Sequence, residues 1–279
     1  MKRYPAIIKW SGSKRTVAPK LATLFPDFDR YFEPFVGSGA MIPYSNNRPG
    51  FCGDIIPELI DLWNAIKENP NEVAYNYKIR WDRLQNEGYQ VYYEIRDAFN
   101  ENRGYNDLLF LTRTCVNGLI RFNSRGEFNN SLHYSRPGIA PVKLEKYLIE
   151  WSSYIQHIQF RCQDYRDTLR DARDGDFVFL DPPYGGTKGR YTVNEFNLEE
   201  FFTTLQNLNE KGVRWLLTFD GKSGKRMYNY APPENLYRHK LSIYTGNSTF
   251  RKIEDKTIEK VEESVYFNYE VPHVLFDGF

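Results

Sequence analysis

Cysteine is scarce: the 279-residue chain carries three, Cys52, Cys115 and Cys162, with no CxxC pair. Its four histidines, His133, His157, His239 and His273, lie far apart. An odd number of scattered thiols argues against a disulfide framework, and no spacing suits structural zinc, so no metal is expected. The thiols read as small buried hydrophobes in a reducing compartment. No run of about 18 apolar residues exists, which argues against a membrane span. The opening MKRYPAIIKW holds an apolar stretch of only Ala6 to Ile8, too short for a signal peptide. Net charge is nearly absent, with 37 basic residues against 36 acidic ones. Any nucleic-acid surface must therefore be a local patch. No internal repeat is present, which excludes a simple solenoid.

Aromatics are plentiful: 20 Phe, 21 Tyr and 5 Trp make up 16% of the chain. Hydrophobic residues reach 41%, enough for a real core, and the length suits two domains or one domain with a large insertion. Val17, Leu21, Leu24 and Phe25 sit at helical spacing. Arg30 to Phe35 reads as extended and ends in Val36-Gly-Ser-Gly39, and a short strand ends at Phe51-Cys-Gly-Asp54. Ile56, Leu59, Ile60, Trp63 and Ile66 then form a helical stripe, stopped soon after by Pro70. This is a βαβ pattern. From Asn71 to Glu150 the chain turns polar and tyrosine-rich. Between Leu111 and Lys143 five cations, Arg113, Arg121, Arg125, Arg136 and Lys143, face only Glu127. That run is a local basic patch or an ordinary solvated face. Alternation then resumes, with strands expected at Ile155 to Cys162, Phe177 to Leu180, Val213 to Phe219, Leu241 to Tyr244 and Val265 to Tyr269. Asn197 with Glu200 resembles a capping box ahead of a helix. The economical summary is a parallel sheet interrupted by an insertion.

Three stretches carry chemistry. Glycines after a strand let a ligand approach the backbone, and Gly37 and Gly39 stand at that position, although a plain tight turn accounts for them equally. The third glycine of a dinucleotide fingerprint is missing, because Ile42 stands there. An acid at the end of the next strand can accept both hydroxyls of a ribose, and Asp54 is such an acid. Alone it could equally cap the next helix. Its closeness to Gly39 favours an adenosine-containing ligand without a pyrophosphate. Asp181-Pro182-Pro183-Tyr184 follows an apolar strand. Two prolines fix this backbone. The step is either a stiff turn leaving the sheet or a cup in which the Asp181 carboxylate, the Pro182 carbonyl and the Tyr184 ring suit an exocyclic amine on a flat base.

Together these stretches resemble the Dam-type DNA adenine-N6 methyltransferases. Lys9-Trp10-Ser-Gly-Ser-Lys14 resembles the family's KWxGxK, and Phe32-Glu-Pro-Phe-Val-Gly-Ser-Gly39 its cofactor turn. Gly53-Asp54-Ile55 resembles the ribose-binding strand end. Asn117-Gly-Leu-Ile-Arg121-Phe-Asn123 and Arg125-Gly-Glu-Phe-Asn129 resemble YNGLxRxN…GxFN, and Asp181 to Tyr184 matches DPPY. The order is the family's and covers nearly the whole chain. The resemblance implies a Rossmann-like class I methyltransferase fold of the α/β class, helices on both faces of the sheet. Residues 1–70 and 151–279 would form the S-adenosyl-L-methionine-binding catalytic domain. Residues 71–150 would form an inserted, mainly helical target-recognition domain carrying a β-hairpin. It further implies that Trp10, Lys14, Glu33, Phe35, Gly37, Gly39, Asp54, Ile55, Asp164, Tyr165 and Asp181 hold the cofactor. Asp181, Pro182, Pro183 and Tyr184 would perform catalysis. Arg113, Asn117, Arg121, Asn123, Arg125, Asn129 and Arg136 would meet double-stranded DNA. The implied setting is cytoplasmic, in a prokaryotic or phage-infected cell, as a monomer, with a cognate restriction endonuclease encoded nearby.

The implied reaction moves a methyl group to adenine N6. Asp181 and the Pro182 carbonyl would accept its N–H bonds, and the base would flip out of the duplex. Val116 replaces the family's usual aromatic, and Asn130 to Tyr134 and Arg136 to Ile139 replace its Pro-Phe-Gly stretch. These departures touch the DNA-facing part, so the target sequence stays open. An RNA N6-adenine enzyme, an N4-cytosine enzyme, a small-molecule methyltransferase and an inactive sequence-specific DNA-binding protein are the alternatives.

Overall fold

A computed structural model describes residues 1–136, 138–183, 196–223, 226–228, 230–247 and 260–272. Among the described residues eight strands form one sheet: β1 (Tyr31–Glu33), β2 (Gly50–Asp54), β3 (Ile158–Cys162), β4 (Phe177–Leu180), β5 (Arg214–Ser223), β6 (Arg226–Tyr228), β7 (His239–Asn247) and β8 (Lys260–Phe267). Their order is β3-β2-β1-β4-β5-β8-β7, with β6 paired to β5. The first five are mutually parallel, and β8 runs antiparallel between β5 and β7. Side chains alternate across the sheet. Tyr31, Phe177, Phe179 and Leu216 enter one core, whereas Phe32, Val178, Leu180 and Leu217 enter the other. Burial on both faces is why these strands read as unbroken apolar runs.

The helices are α1 (Ala18–Leu21), α2 (Pro57–Glu68), α3 (Pro70–Glu87), α4 (Gln90–Asn102), α5 (Tyr105–Thr114), α6 (Pro141–Ile155), α7 (Tyr165–Thr168) and α8 (Leu198–Glu210). The stripe of α8, Phe201, Leu205 and Leu208, covers one face, and Asn197 caps it by accepting from the N–H groups of Glu199 and Glu200. The other face is covered by α1, α2 and α6, and α3 to α5 extend the same apolar core outward. Pro70 both stops α2 and starts α3, because its fixed φ and missing N–H suit a first helical position. Beyond α5 the chain folds back as an irregular hairpin held by two isolated bridges, Cys115 with Leu132 and Phe122 with Phe128. Asn117 (φ 56°) and Gly118 (φ 63°) take left-handed backbone there, which interrupts a regular ladder. Then α6 returns to β3, and Trp151 of α6 packs 5.4 Å from Trp63 of α2.

Several boundaries differ from the sequence reading. Ile155 ends α6, and β3 starts only at Ile158, because a short apolar stretch can close a helix or open a strand and does not mark where one passes into the other. The final strand runs Lys260–Phe267, not to Tyr269. Asn268 breaks the pattern: its side chain donates to the Val213 carbonyl at 2.9 Å and accepts from the Trp215 N–H at 2.8 Å. Val17 to Phe25 forms a single α turn flanked by 3-10 turns.

Candidate active site

Strand order reverses between β1 and β4, and a parallel sheet opens a crevice at such a point, beyond the strands' carboxyl ends. Four adjacent strands deliver residues there: β1 leads into Phe35 to Gly39, β2 ends at Asp54, β3 leads to Asp164 and Tyr165, and β4 ends before Asp181. Gly37 (φ 43°) lies so close to Trp10 that a Cβ there would meet Cδ1 at 2.9 Å. A Cβ on Gly39 (φ 62°) would meet Cζ2 of Trp63 at the same distance. Only glycine fits both backbone and space. Trp63 fixes the turn by donating from Nε1 to the Gly37 carbonyl at 3.0 Å.

Asp54 closes this turn from below. One oxygen accepts the Gly37 N–H at 3.2 Å and the other the Ile56 N–H at 3.3 Å. Burial pushes its pKa up to about 6, against these backbone donors, which lower it. Ile55 beside it is 50% exposed, an apolar surface next to a carboxylate. Phe35 stacks on Tyr165 at 5.4 Å, and Phe196 and Phe201 pack edge-on around the pair. Asp164 turns back on its own helix. Its Oδ1 accepts from the Arg166 N–H at 2.9 Å and from Arg166 Nε at 2.7 Å.

Asp181 sits at the centre. Its Oδ1 accepts from Thr218 Oγ1 at 3.0 Å and pairs with Lys14 Nζ at 2.7 Å. Burial raises the Asp181 pKa, the Lys14 ammonium opposes this, and Glu263 reinforces it. Lys14, only 4% exposed, also donates to the Gly12 carbonyl at 3.1 Å and pairs with Glu263 Oε2 at 3.3 Å. Among the described residues its ammonium faces Asp181, Glu263 and the Gly12 carbonyl. Glu33 is buried and accepts from the Tyr31 hydroxyl at 2.7 Å. Burial holds its carboxyl pKa well above the ordinary range, and the Asp181 charge adds to that. Pro182 is buried and Pro183 exposed. Tyr184 lies outside the described residues.

The hairpin gathers most of the residues assigned to DNA. Arg121 donates from Nε to Asn129 Oδ1 at 2.8 Å, and Arg125, 77% exposed, pairs with Glu127 at 2.9 Å. Asn123 Oδ1 accepts from the Arg125 and Glu127 N–H groups, which shapes the turn. Arg136 and Asn117 are both exposed. Arg113 departs from expectation. It is 7% exposed, and its Nη1 donates to the Ala6 and Ile7 carbonyls at 3.0 and 3.3 Å. It pins the N-terminal segment to α5 and does not face solvent. Lys9 lies across Gly118, and so links the N-terminal motif to the hairpin.

Sequence reasoning missed Thr218, Phe196, Phe201 and Glu263 as site neighbours. Thr218 was signalled by a lone hydroxyl inside the apolar run Val213 to Phe219. Glu263 was signalled by parity, because it shares the period-two register of Val261 and Val265.

Residues 10–253 match the model of the D12 class N6 adenine-specific DNA methyltransferases. The DNA N-6-adenine-methyltransferase of Escherichia phage P1 is 30% identical over 77% of this chain, which spans 30% of that longer protein. The DNA adenine methylase of Vibrio cholerae is 28% identical over 90% of this chain and 92% of its own. A type II methyltransferase of Lactococcus lactis subsp. cremoris, M1.LlaDCHI, is 30% identical over 94% of both. With a family match over most of its length, the chain belongs to the D12 class N6 adenine-specific DNA methyltransferases.

Proposed function

We propose that this chain performs its family's site-specific adenine methylation by direct transfer from S-adenosyl-L-methionine, bound in the crevice, to a flipped-out adenine. The observation that carries the reading is Asp181 just past the end of β4, with Oδ1 held by Lys14 and Thr218. The donor set fits the cofactor. Asp54 uses one lone pair on each oxygen for backbone N–H groups, and a carboxylate has about four such sites, enough to accept two ribose hydroxyls as well. Ile55 offers the adjoining adenine an apolar face, and Phe35, Gly37 and Gly39 the methionine end. When bound, the cofactor supplies an activated methyl group on a sulfonium.

The chain's own residues do the rest. Adenine N6 is a poor nucleophile, because its lone pair is spread into the ring. Asp181 Oδ2 and the Pro182 carbonyl accept its two N–H bonds and localise the lone pair toward the methyl group. Acceptors fixed beforehand against developing positive charge lower the barrier. Tyr184 stacks on the flipped base and offsets part of the few kcal/mol of unstacking. Residues 71–150 recognise the target: Arg121, Arg125 and Arg136 grip phosphates or base edges, and Asn117, Asn123 and Asn129 hold the hairpin in shape. Residues 1–70 and 151–279 form the catalytic domain. The protein works as a cytoplasmic monomer, its site shared with a restriction endonuclease encoded nearby. No helix among the described residues is long and apolar enough to cross a membrane.

The test is to incubate the protein with unmethylated genomic DNA and isotope-labelled S-adenosylmethionine, digest to nucleosides, and identify the labelled base by mass spectrometry. Labelled N6-methyladenine is expected. Label in structured RNA alone would sink the DNA reading.

A further inference from the structure

Helix α4 ends on Arg103, which takes left-handed backbone (φ 55°, ψ 36°) while its N–H closes the helix on the Phe99 carbonyl. Glycine suits such an end, because a Cβ crowds the backbone there. A glycine stands one position later, yet Gly104 has φ −69°, which any residue adopts. The chain therefore bears strain to keep an arginine side chain at this point. Its guanidinium reaches three elements. Nη2 donates to the Gly126 carbonyl at the tip of the hairpin, and Nη1 pairs with Glu58 Oε1 at 3.6 Å. Its central carbon lies 5.4 Å from the centre of the Phe99 ring and 5.6 Å from that of Phe122. Glu58 is buried in the first turn of α2, four residues after Asp54. The return arm of the hairpin is held along α4 by Asn100, which bonds both the N–H and the carbonyl of Phe128, and by Tyr92, which donates to the Asn130 carbonyl. Arg103 carries that tie on to the tip and across to the helix that follows Asp54.

We infer that Arg103 is a positioning residue for target choice: it straps the hairpin tip to the first turn of α2 and so sets where Arg121 and Arg125 meet the duplex relative to the crevice. The inference rests on the DNA reading above. It gives Arg103 no base contact, because its effect runs through the tip. An exposed ion pair alone contributes little, but this one joins a buried carboxylate to a backbone carbonyl in a turn. A guanidinium can hold both, since its donors form a fixed planar fork. Asn123 closes the same turn by accepting from the Arg125 and Glu127 N–H groups, so a shift of Gly126 moves Arg125 with it. Loss of the strap leaves the turn intact and lets it drift as a unit. That blurs discrimination between base pairs and spares the crevice.

The test lets the full chain methylate unmethylated genomic DNA for a limited time and reads N6-methyladenine by sequencing. The readout is the ratio of methylation at the preferred site to methylation at sites one base pair different. Arg103→Gly suits the backbone, so its melting temperature by circular dichroism is expected within about 3 °C of the unmodified protein. Its discrimination ratio is expected to fall about fivefold, the scale of couplings carried through packed networks. The rate at the preferred site and the dissociation constant of S-adenosylmethionine should stay within about twofold, as for a distant, independent site. Glu58→Gln breaks the strap from its other end and should lower the ratio in the same direction. The double variant should be no worse than Arg103→Gly. If the two losses multiply, the residues act separately and the inference is overturned. A uniform fall in rate at all sites, with the ratio kept, marks a merely structural role and overturns it as well. If Arg103→Gly does not fold, Glu58→Gln decides, and an unmoved ratio there overturns the inference. If the unmodified protein leaves no N6-methyladenine in DNA, the DNA reading falls and the inference with it. If it does and neither variant moves the ratio, only the inference falls.

Discussion

The crevice and the hairpin are built by opposite means. The crevice lies on the ends of four parallel strands, and its key groups are tied to buried partners: Asp181 to Lys14 and Thr218, Asp54 to the Gly37 and Ile56 N–H groups, Glu33 to Tyr31. The hairpin has two isolated bridges, and its cations pair with near neighbours in sequence, Arg121 with Asn129 and Arg125 with Glu127. Exposed pairs of that kind contribute little to stability and exchange readily for a phosphate or a base edge. On the proposed reading, the difference teaches that the chemistry is preorganised by the core, whereas target choice sits where bonds can be traded.

The largest expected effect isolates the crevice. Asp181→Ala removes the acceptor for the target amine, so methyl incorporation is expected to fall about a thousandfold or more, in the range of lost preorganised contacts. Binding to the target duplex, read by gel shift, should stay within a few fold. Loss of both together would break the separation of chemistry from grip.

Arg113 sharpens the boundary between the regions. Read as part of the hairpin's charge, Arg113→Ala should weaken DNA binding and spare the fold. Its burial against the Ala6 and Ile7 carbonyls says the reverse. We expect about 3 kcal/mol lost from stability in denaturant titration, as buried acceptors go unpaired, and unchanged DNA affinity per folded molecule. Arg121→Ala should do the opposite. Stability should hold, while discrimination against a changed base pair falls by about 1–3 kcal/mol, measured as relative methylation rates on target and near-target duplexes.

Arg113 also shows where reading the sequence stopped short. Counting charge along the chain assumes that each cation is exposed. Yet α5 is buried from Leu108 to Thr114, and the run Leu108-Leu109-Phe110-Leu111 already marked a helix without a solvated face. The crevice was legible because its parts are local. A glycine turn, an acid at a strand end and a diproline step each declare themselves within a few residues. Lys14 was assigned to the cofactor site by its motif, but two of its partners, Asp181 and Glu263, come from the end of β4 and from β8, and no local pattern records a pairing across the sheet. The strand edges were misjudged where side chains such as Asn268 take over backbone bonds.

The smallest effect is one of pH, and it divides the crevice itself. Burial raises the Asp54 pKa to about 6, so at pH 7 the carboxylate is mostly ionised and at pH 5 mostly protonated. Only the ionised form accepts two ribose hydroxyls through both oxygens. The dissociation constant for S-adenosylmethionine is therefore expected to rise up to about tenfold per pH unit below 6, by simple titration of one group. The sign for folding is opposite. A carboxyl whose folded pKa lies above its unfolded value stabilises the fold below the unfolded value and loses that contribution as pH rises through 6. Between pH 7 and 5 this group thus strengthens the apo fold while it weakens cofactor binding. Asp181 and Glu33 are also pushed up by burial, so the apo melting temperature alone cannot separate the three. Asp54→Asn does: it should weaken binding at pH 8 and flatten the dependence below 6. A slope that survives in Asp54→Asn would move the titrating group to Asp181, and the ribose role of Asp54 would be lost.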